Sequence, residues 1–448
     1  MKLRSVLFSV VLFVMGSSLG CLNLDQFEFR CSDDQDCVEG TCDASGECQP
    51  EAGGNQEENQ EENQEEPACP GDGVYDVVHE VCVPACCDFE FEVVTGVPFT
   101  GPNLHRIGYG PDGPVVAWLD LPTGSNSISL MLARRDGPDS WPAAQLAFWE
   151  APYILPRLAL LVEPSGKIHV SVSWRENLPA GGGVQSTWHY FRYDPVADRL
   201  EYEELLEEGG LIGTIRMALD AAGDVHLVGF GGGTGASRGQ VYYAIAGADG
   251  EFSEATYGVD RAESILAGDF ALDGQGEPLF TFLFSDGEGD FDLFTGRIDG
   301  DSIATTSVWG ALYQWPHRLV IDAEGRESIL AQAQPNAVDP DRVLVIDRPE
   351  GSWGADTILE EKGIDTAQLL VQSTGRRVVV FAYSPLDDFL DRRMGIHRWN
   401  GEAYETITTE GDGQLMYVDA VLDEDDRVHV LYYQQEDRVL RYLTPELD

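Results

Sequence analysis

The sequence predicts an all-β chain: a seven-bladed β-propeller preceded by a small disulfide-rich segment and a disordered acidic linker. Three observations predict it. A four-residue turn recurs with a period near 50 residues through the C-terminal part of the chain, every cysteine lies before residue 88, and an acidic low-complexity stretch separates two cysteine groups. A period of this size means one supersecondary unit copied around or along an axis.

Residues 1–20 read as an export signal. Met1-Lys2-Leu3-Arg4 is a charged start, Val6 to Met15 an apolar run, and Gly16-Ser17-Ser18-Leu19-Gly20 a stretch of mostly small residues before Cys21. The apolar run is too short for a spanning helix. Its end resembles a bacterial lipobox, with Gly20 before Cys21 as in that family and Ser18 where the family usually carries Leu. The resemblance implies cleavage before Cys21, diacylglycerol on its sulfur and acylation of the new amine. An ordinary signal peptide followed by a disulfide cysteine is the competing reading.

The cysteine count agrees with lipidation. Of nine cysteines, eight remain once Cys21 is set aside: Cys31, Cys37, Cys42, Cys48, Cys69, Cys82, Cys86 and Cys87. An even set in an exported chain can pair completely, in a connectivity that spacing does not determine. Residues 21–48 form a cysteine-rich head too short to bury a core, so disulfides must hold it. It looks like the cysteine-rich segments that follow the lipid anchor in some bacterial surface lipoproteins. Zinc is disfavoured there, for want of a CxxC pair and a nearby histidine. Asp33, Asp34 and Asp36 offer oxygen ligands of the kind Ca²⁺ takes. They lack the Gly and distal Glu of a calcium loop, and a solvated turn is the simpler reading. No cofactor is otherwise indicated.

Residues 49–68 contain NQEENQEENQEE, which is nearly free of apolar side chains. Such a segment cannot offset its ordering entropy and reads as a self-repelling tether. The second cysteine cluster occupies 69–87. The whole chain carries 28 basic against 78 acidic residues, a net charge of −50, and only Lys2, Lys167 and Lys362 among the basic residues are lysines. That charge repels nucleic acid and anionic lipid. A hydrated surface needing no partner is the simpler reading, and attraction of cations or cationic partners is the alternative.

The propeller spans 88–448. Its turns are GPDG 110–113, EPSG 163–166, DAAG 220–223, DGQG 273–276, DAEG 322–325, QSTG 372–375 and DEDD 423–426. The closing residues Gly113, Gly166, Gly223, Gly276, Gly325, Gly375 and Asp426 lie 53, 57, 53, 49, 50 and 51 residues apart. Each unit reads as four strands, for instance 216–219, 225–230, 240–245 and 252–257, with Gly and Asp at the turns. A helical solenoid, the other repeat of this length, would need an amphipathic helical period that is absent. The last unit has three strands, and Asp88 to Val94 is expected to supply the fourth, closing the ring and removing an exposed sheet edge.

These units, best seen in VDAVLDEDDRVHVLYYQQEDRVLRYL (418–443), resemble the sialidase-like or BNR-type propellers of secreted bacterial proteins. The family's sialidases carry S-x-D-x-G-x-T-W boxes between third and fourth strands and have six blades. RRDGPDSW (134–141) and RPEGSW (348–353) match those boxes only in part, so no catalytic residue carries over.

His169, His226 and His429 recur three residues after the closing position, which marks them as structural. Seven residues before that position stand Arg106, Ala159, Arg216, Asp269, Arg318, Gln368 and Asp419, with His105 and His317 preceding two of the arginines. This register reads as the first residue of the innermost strand, at the channel mouth. Three Arg and two Asp would then converge on the axis, where a guanidinium fork suits a carboxylate. Mutual neutralisation across a water-filled channel is the competing structural reading.

Together these features point to a monomeric outer-membrane lipoprotein, in contact with the membrane through its anchor alone, whose propeller binds a glycan or protein. A glycoside hydrolase or lyase acting in the axial funnel, or a scaffold without a small ligand, are the alternatives.

Overall fold

The computed structural model describes four short strands between residues 41 and 83 and, from 92 to 445, the chain apart from the segments 97–103, 122–126, 151–152, 178–183, 209–211, 233–238, 248–251, 261–264, 286–290, 313, 334–340, 349–351, 385–391, 402–403, 412–414 and 437. The chain divides into two compact units, 1–67 and 68–448. The expected leader, Cys21, the aspartate cluster at 33–36 and the acidic tether lie outside the described residues, as do Cys31, Cys37, Cys69, Cys86 and Cys87. In the first unit, β1 (Thr41–Cys42) pairs with β2 (Cys48–Gln49), and the backbone register sets Cys42 opposite Cys48.

The second unit is all β in its described residues. It begins with the hairpin of β3 (Val74–Asp76) and β4 (Val81–Val83), then β5 (Glu92–Gly96). The first four-stranded sheet is β6 (His105–Gly110), β7 (Gly113–Asp120), β8 (Ser127–Arg134) and β9 (Ala143–Glu150). The second is β10 (Tyr153–Val162), β11 (Ile168–Asn177), β12 (Val184–Asp194) and β13 (Arg199–Glu208). Then come β14 (Ile212–Leu219), β15 (Val225–Gly232), β16 (Gly239–Ala246) and β17 (Phe252–Val259), followed by β18 (Ile265–Leu272), β19 (Pro278–Ser285), β20 (Phe291–Asp299) and β21 (Ser302–Leu312). A short parallel pairing of β17 with β21, at Gly258 and Val259 against Ser302 and Ile303, fuses these two groups into one eight-stranded sheet.

Next are β22 (Gln314–Ile321), β23 (Glu327–Ala333), β24 (Asp341–Asp347) and the 18-residue β25 (Gly354–Val371). Residues 354–361 of β25 pair with β24 and 362–371 pair with β26 (Arg377–Ser384), so an outermost strand runs unbroken into the next innermost one. The group continues with β27 (Arg393–Trp399) and β28 (Tyr404–Gly411). The last sheet is β29 (Leu415–Leu422), β30 (Val428–Gln434) and β31 (Val439–Leu443), completed by β5. The described strand that joins it is Glu92–Gly96, which overlaps the expected 88–94 at 92–94 and continues to Gly96 opposite Val439; residues 88–91 lie outside the described residues.

The innermost strands follow one another around an axis: β6 packs beside β10, β10 beside β14, then β18, β22, β25 and β29, and β29 returns to β6. This is the architecture of a β-propeller. The strand pattern explains it. Second strands such as β26 and β30 are mostly apolar and buried along nearly their whole length, whereas the outermost β9 is largely exposed. A sheet with two apolar faces must be covered on both. Among the described residues the core accordingly falls into clusters that each bridge consecutive sheets, for example Leu119 and Ile128 with Val170 and Phe191, or Phe230 with Phe280 and Phe282.

The recurring turns join innermost to second strands. In six of them the closing N–H donates to the first carbonyl, as Gly223 to Asp220 at 3.2 Å; in the first, Gly110 pairs directly with Gly113. The closing residue has positive φ throughout, from 107° at Gly113 to 64° at Asp426. Only glycine, or less readily Asp and Asn, adopts this region without Cβ strain. Where the turn opens with Asp, its carboxylate also accepts two backbone N–H bonds, as Asp220 does from Ala222 at 2.8 Å and Asp224 at 2.9 Å.

Two alanine substitutions separate backbone from packing constraints. Gly223→Ala, with φ +87° and open space around a Cβ, is expected to cost about 1 kcal/mol. Gly268→Ala, whose Cβ would lie 2.1 Å from the Phe230 ring, is expected to cost about 1–3 kcal/mol through overpacking. Urea unfolding of both variants checks the order.

Candidate functional site

The register seven residues before each turn converges in space. Arg106, Ala159, Arg216, Asp269, Arg318, Gln368 and Asp419 all line one axial cavity of about 250 Å³, shared with the residues that follow them, such as Ile107, Met217 and Leu319. Arg106, Arg216, Arg318 and Gln368 also line a second cavity of about 40 Å³, together with His105, Thr366 and Tyr417. The ring residues therefore line both a larger and a smaller axial cavity.

The expected strand position needs correction. Arg216 and Asp269 are each the fifth residue of an eight-residue strand, not the first. The innermost strands continue past the ring because β-bulges interrupt their pairing near it, between Ile212 and Thr214, Ile265 and Ala267, and Met416 and Asp419. A bulge lets pairing resume while re-aiming the side chains that follow.

The ring charges are organised by the seams between sheets. Asp269 accepts Arg216 Nε at 2.7 Å through one oxygen and the Leu319 backbone N–H at 2.8 Å through the other. Asp419 accepts the Ile107 N–H at 2.9 Å. Arg318 lies between them, 4.0 Å from each carboxylate. Each carboxylate thus ties its own innermost strand to the next one. Two residues outside the expected set do similar work: Thr366 Oγ1 accepts the Val418 N–H at 2.8 Å, and Arg157 Nε donates to the Gly213 carbonyl at 2.9 Å. Arg157 stands two residues before Ala159, so strand alternation alone could have placed it on the same face.

Burial weakens the charged form of these groups. It pushes Arg216 down to about 9 and Arg106 to about 10, with neighbouring guanidinium groups lowering both and the aspartates opposing. Arg157 falls to about 10, by burial first and then by Arg175. All remain protonated at neutral pH. The ring holds three guanidinium groups against two carboxylates, a formal excess of +1 inside a chain of net charge −50.

His105 is buried beside this ring. Its Nε2 lies 2.6 Å from the Tyr417 carbonyl, so Nε2 carries the proton, and its Nδ1 has no hydrogen-bond partner. Burial and Arg106 push it down to about 4. His317 lies in β22, and its side chain falls outside the described residues.

The recurring second-strand histidines form a repeated clamp. His169 sits 2.6 Å from Glu163 and 2.5 Å from the Tyr190 hydroxyl; His226 bridges Asp220 and Tyr243; His429 lies 3.2 Å from Asp423 and 2.6 Å from Tyr442. In each, the turn carboxylate accepts from Nε2–H, which leaves Nδ1 to accept from a third-strand tyrosine. The clamp fastens turn, second strand and third strand, which is a structural role. Trp141 of the partial box donates from Nε1 to Glu92 at 3.0 Å and packs edge-on against Tyr442. No group of three metal-ligating side chains occurs among the described residues.

The His105 geometry fixes a pH dependence. Unfolded histidine takes up its proton as pH falls below about 6.5, whereas the folded residue waits until about 4. The unfolded state then binds more protons, so stability is complete above the unfolded value and declines between the two. Denaturant unfolding at pH 7 and pH 4.5 should show wild type losing up to about 3 kcal/mol more than His105→Gln.

No protein-family model matches the chain, and no curated protein matches it. Among solved structures it is similar to hydrazine synthase of Kuenenia stuttgartiensis, at 11% identity over 79% of this chain and 98% of that one, with a TM-score of 0.49. It is similar to the β-propeller domain of the trilobed protease from Pyrococcus furiosus, at 11% identity over 77% and 95%, TM-score 0.44. It is also similar to the NanB sialidase of Streptococcus pneumoniae, at 9% identity over 80% and 70%, TM-score 0.42. The propeller assignment itself stands on the sheet topology of this chain.

Proposed function

We propose that this chain is an exported lipoprotein that presents a seven-bladed propeller for recognition of an anionic group carried by a glycan or protein. In this reading Cys21 holds the lipid in the outer membrane, residues 21–48 form a disulfide-held head, 49–68 a tether, 69–87 a second cysteine cluster, and 88–448 the propeller. Seven recurring turns and the cyclic order of the innermost strands support the blade number.

One observation carries the ligand reading: the excess positive charge of the axial ring in a chain that is otherwise strongly acidic. Desolvated guanidinium groups gain most from a carboxylate that arrives with its own fork geometry. A chamber of about 250 Å³ has room for such a group rather than for a whole macromolecule. Binding is favoured over glycoside hydrolysis by the two axial carboxylates. Each accepts a backbone N–H from the next sheet, which commits it to holding neighbouring strands together.

Screening the full chain on an array of neutral, uronate-bearing and sialylated glycans, with acidic peptides beside them, tests this reading. Binding is expected to an anionic probe and to weaken at least tenfold in Arg106→Gln, with near-UV circular dichroism confirming the fold. Binding of anionic probes that Arg106→Gln leaves unchanged would remove the axial-anion reading. The anchor is tested separately by labelling cells with a palmitate analogue: wild type is expected to incorporate label and Cys21→Ser to lose it.

A further inference from the structure

The clamp recurs, but one copy is different. At the last sheet, the clamp of Asp423, His429 and Tyr442 borders a cavity of about 480 Å³ at the seam with the first sheet. The first sheet contributes Tyr109, Arg135 and Asp136 to the same space. The sequence marks this seam too. The residue four before the turn's closing position is Val162, Leu219, Leu272, Ile321, Val371 or Leu422 in six units, and Tyr109 in the first. That aromatic ring lies 4.5 Å from the His429 ring, over the clamp. Thr444 adds a hydroxyl 2.7 Å from the Tyr442 hydroxyl.

Both arginines at the cavity are already engaged. Arg135 forks onto Glu92 at 2.7 and 3.0 Å and covers the Tyr442 ring, with its guanidinium carbon 5.7 Å from the ring centre. Arg427 pairs with Asp425 at 3.4 Å. An incoming anion would meet Asp136 and Asp423, and an incoming cation would meet Arg135 and Arg427. A neutral ring bearing several hydroxyls meets neither penalty. It can lie its C–H face on an aromatic ring and exchange hydrogen bonds with carboxylate, guanidinium and hydroxyl groups. The volume lies within the range of small-molecule sites.

We propose that the cavity at the seam between the first and last sheets binds a neutral sugar ring, with Tyr109 as the stacking platform and Asp136 as a hydroxyl acceptor. This site is separate from the axial chamber and does not depend on it.

Isothermal titration of the full chain with the methyl glycosides of glucose, galactose, mannose and N-acetylglucosamine tests it. Saturable binding of at least one is expected. Tyr109→Leu, which installs a residue that three other units carry at this position, should weaken it at least tenfold. Asp136→Asn should weaken it several-fold, and the axial variant Arg216→Gln should leave it within twofold. Absence of saturable heat with all four glycosides would overturn the proposal, as would unchanged affinity in Tyr109→Leu or loss of affinity in Arg216→Gln. Should Tyr109→Leu fail to fold, the exposed Asp136→Asn decides, and unchanged affinity there overturns the site. Binding of choline in place of any glycoside would reassign the cavity to a cation and count against it.

Discussion

A four-stranded sheet with two apolar faces cannot stand alone, and that constraint organises the whole domain. Each sheet needs a neighbour on both sides, and a row of sheets meets that demand everywhere only when it closes on itself. The clusters between consecutive sheets are the direct result, including the one in which Val94, Ile107, Trp118, Leu431 and Tyr442 join the first and last sheets. Closure depends on a strand drawn from the start of the domain. β5 supplies it, and Glu92 on that strand binds Arg135 and Trp141 of the first sheet, so the seam is held by charge as well as by packing.

The same closure creates the axial problem. Innermost strands converge, their side chains leave water, and any charge there loses solvation. The ring resolves this locally. Asp269 and Asp419 take backbone N–H groups from the following strands, and the arginines stand against them. A residue that looks like a ligand contact in a list of charges is thus also a tie between neighbouring sheets.

Departures from the repeat prove more informative than the repeat. The histidine clamp appears in three units with the same acid and tyrosine partners, which identifies it as scaffold. Tyr109 breaks an otherwise aliphatic position, and it lies at the seam where the last clamp meets a cavity. Arg157 and Thr366 belong to the axial network without belonging to the aligned register.

The sequence by itself determined the all-β class, the turns with their left-handed closing residues, the four-strand unit and the alignment that gathers Arg106, Arg216, Arg318, Asp269 and Asp419 at one place. These depend on local chemistry: a glycine where a Cβ would clash, and alternation within a strand. Only the tertiary structure decided the rest. It carried the closing strand on to Gly96, placed the ring against two axial cavities, and buried His105 with one ring nitrogen unpartnered. Bulges, seam contacts and chamber depth arise from how neighbouring sheets meet, and no single repeat contains that information.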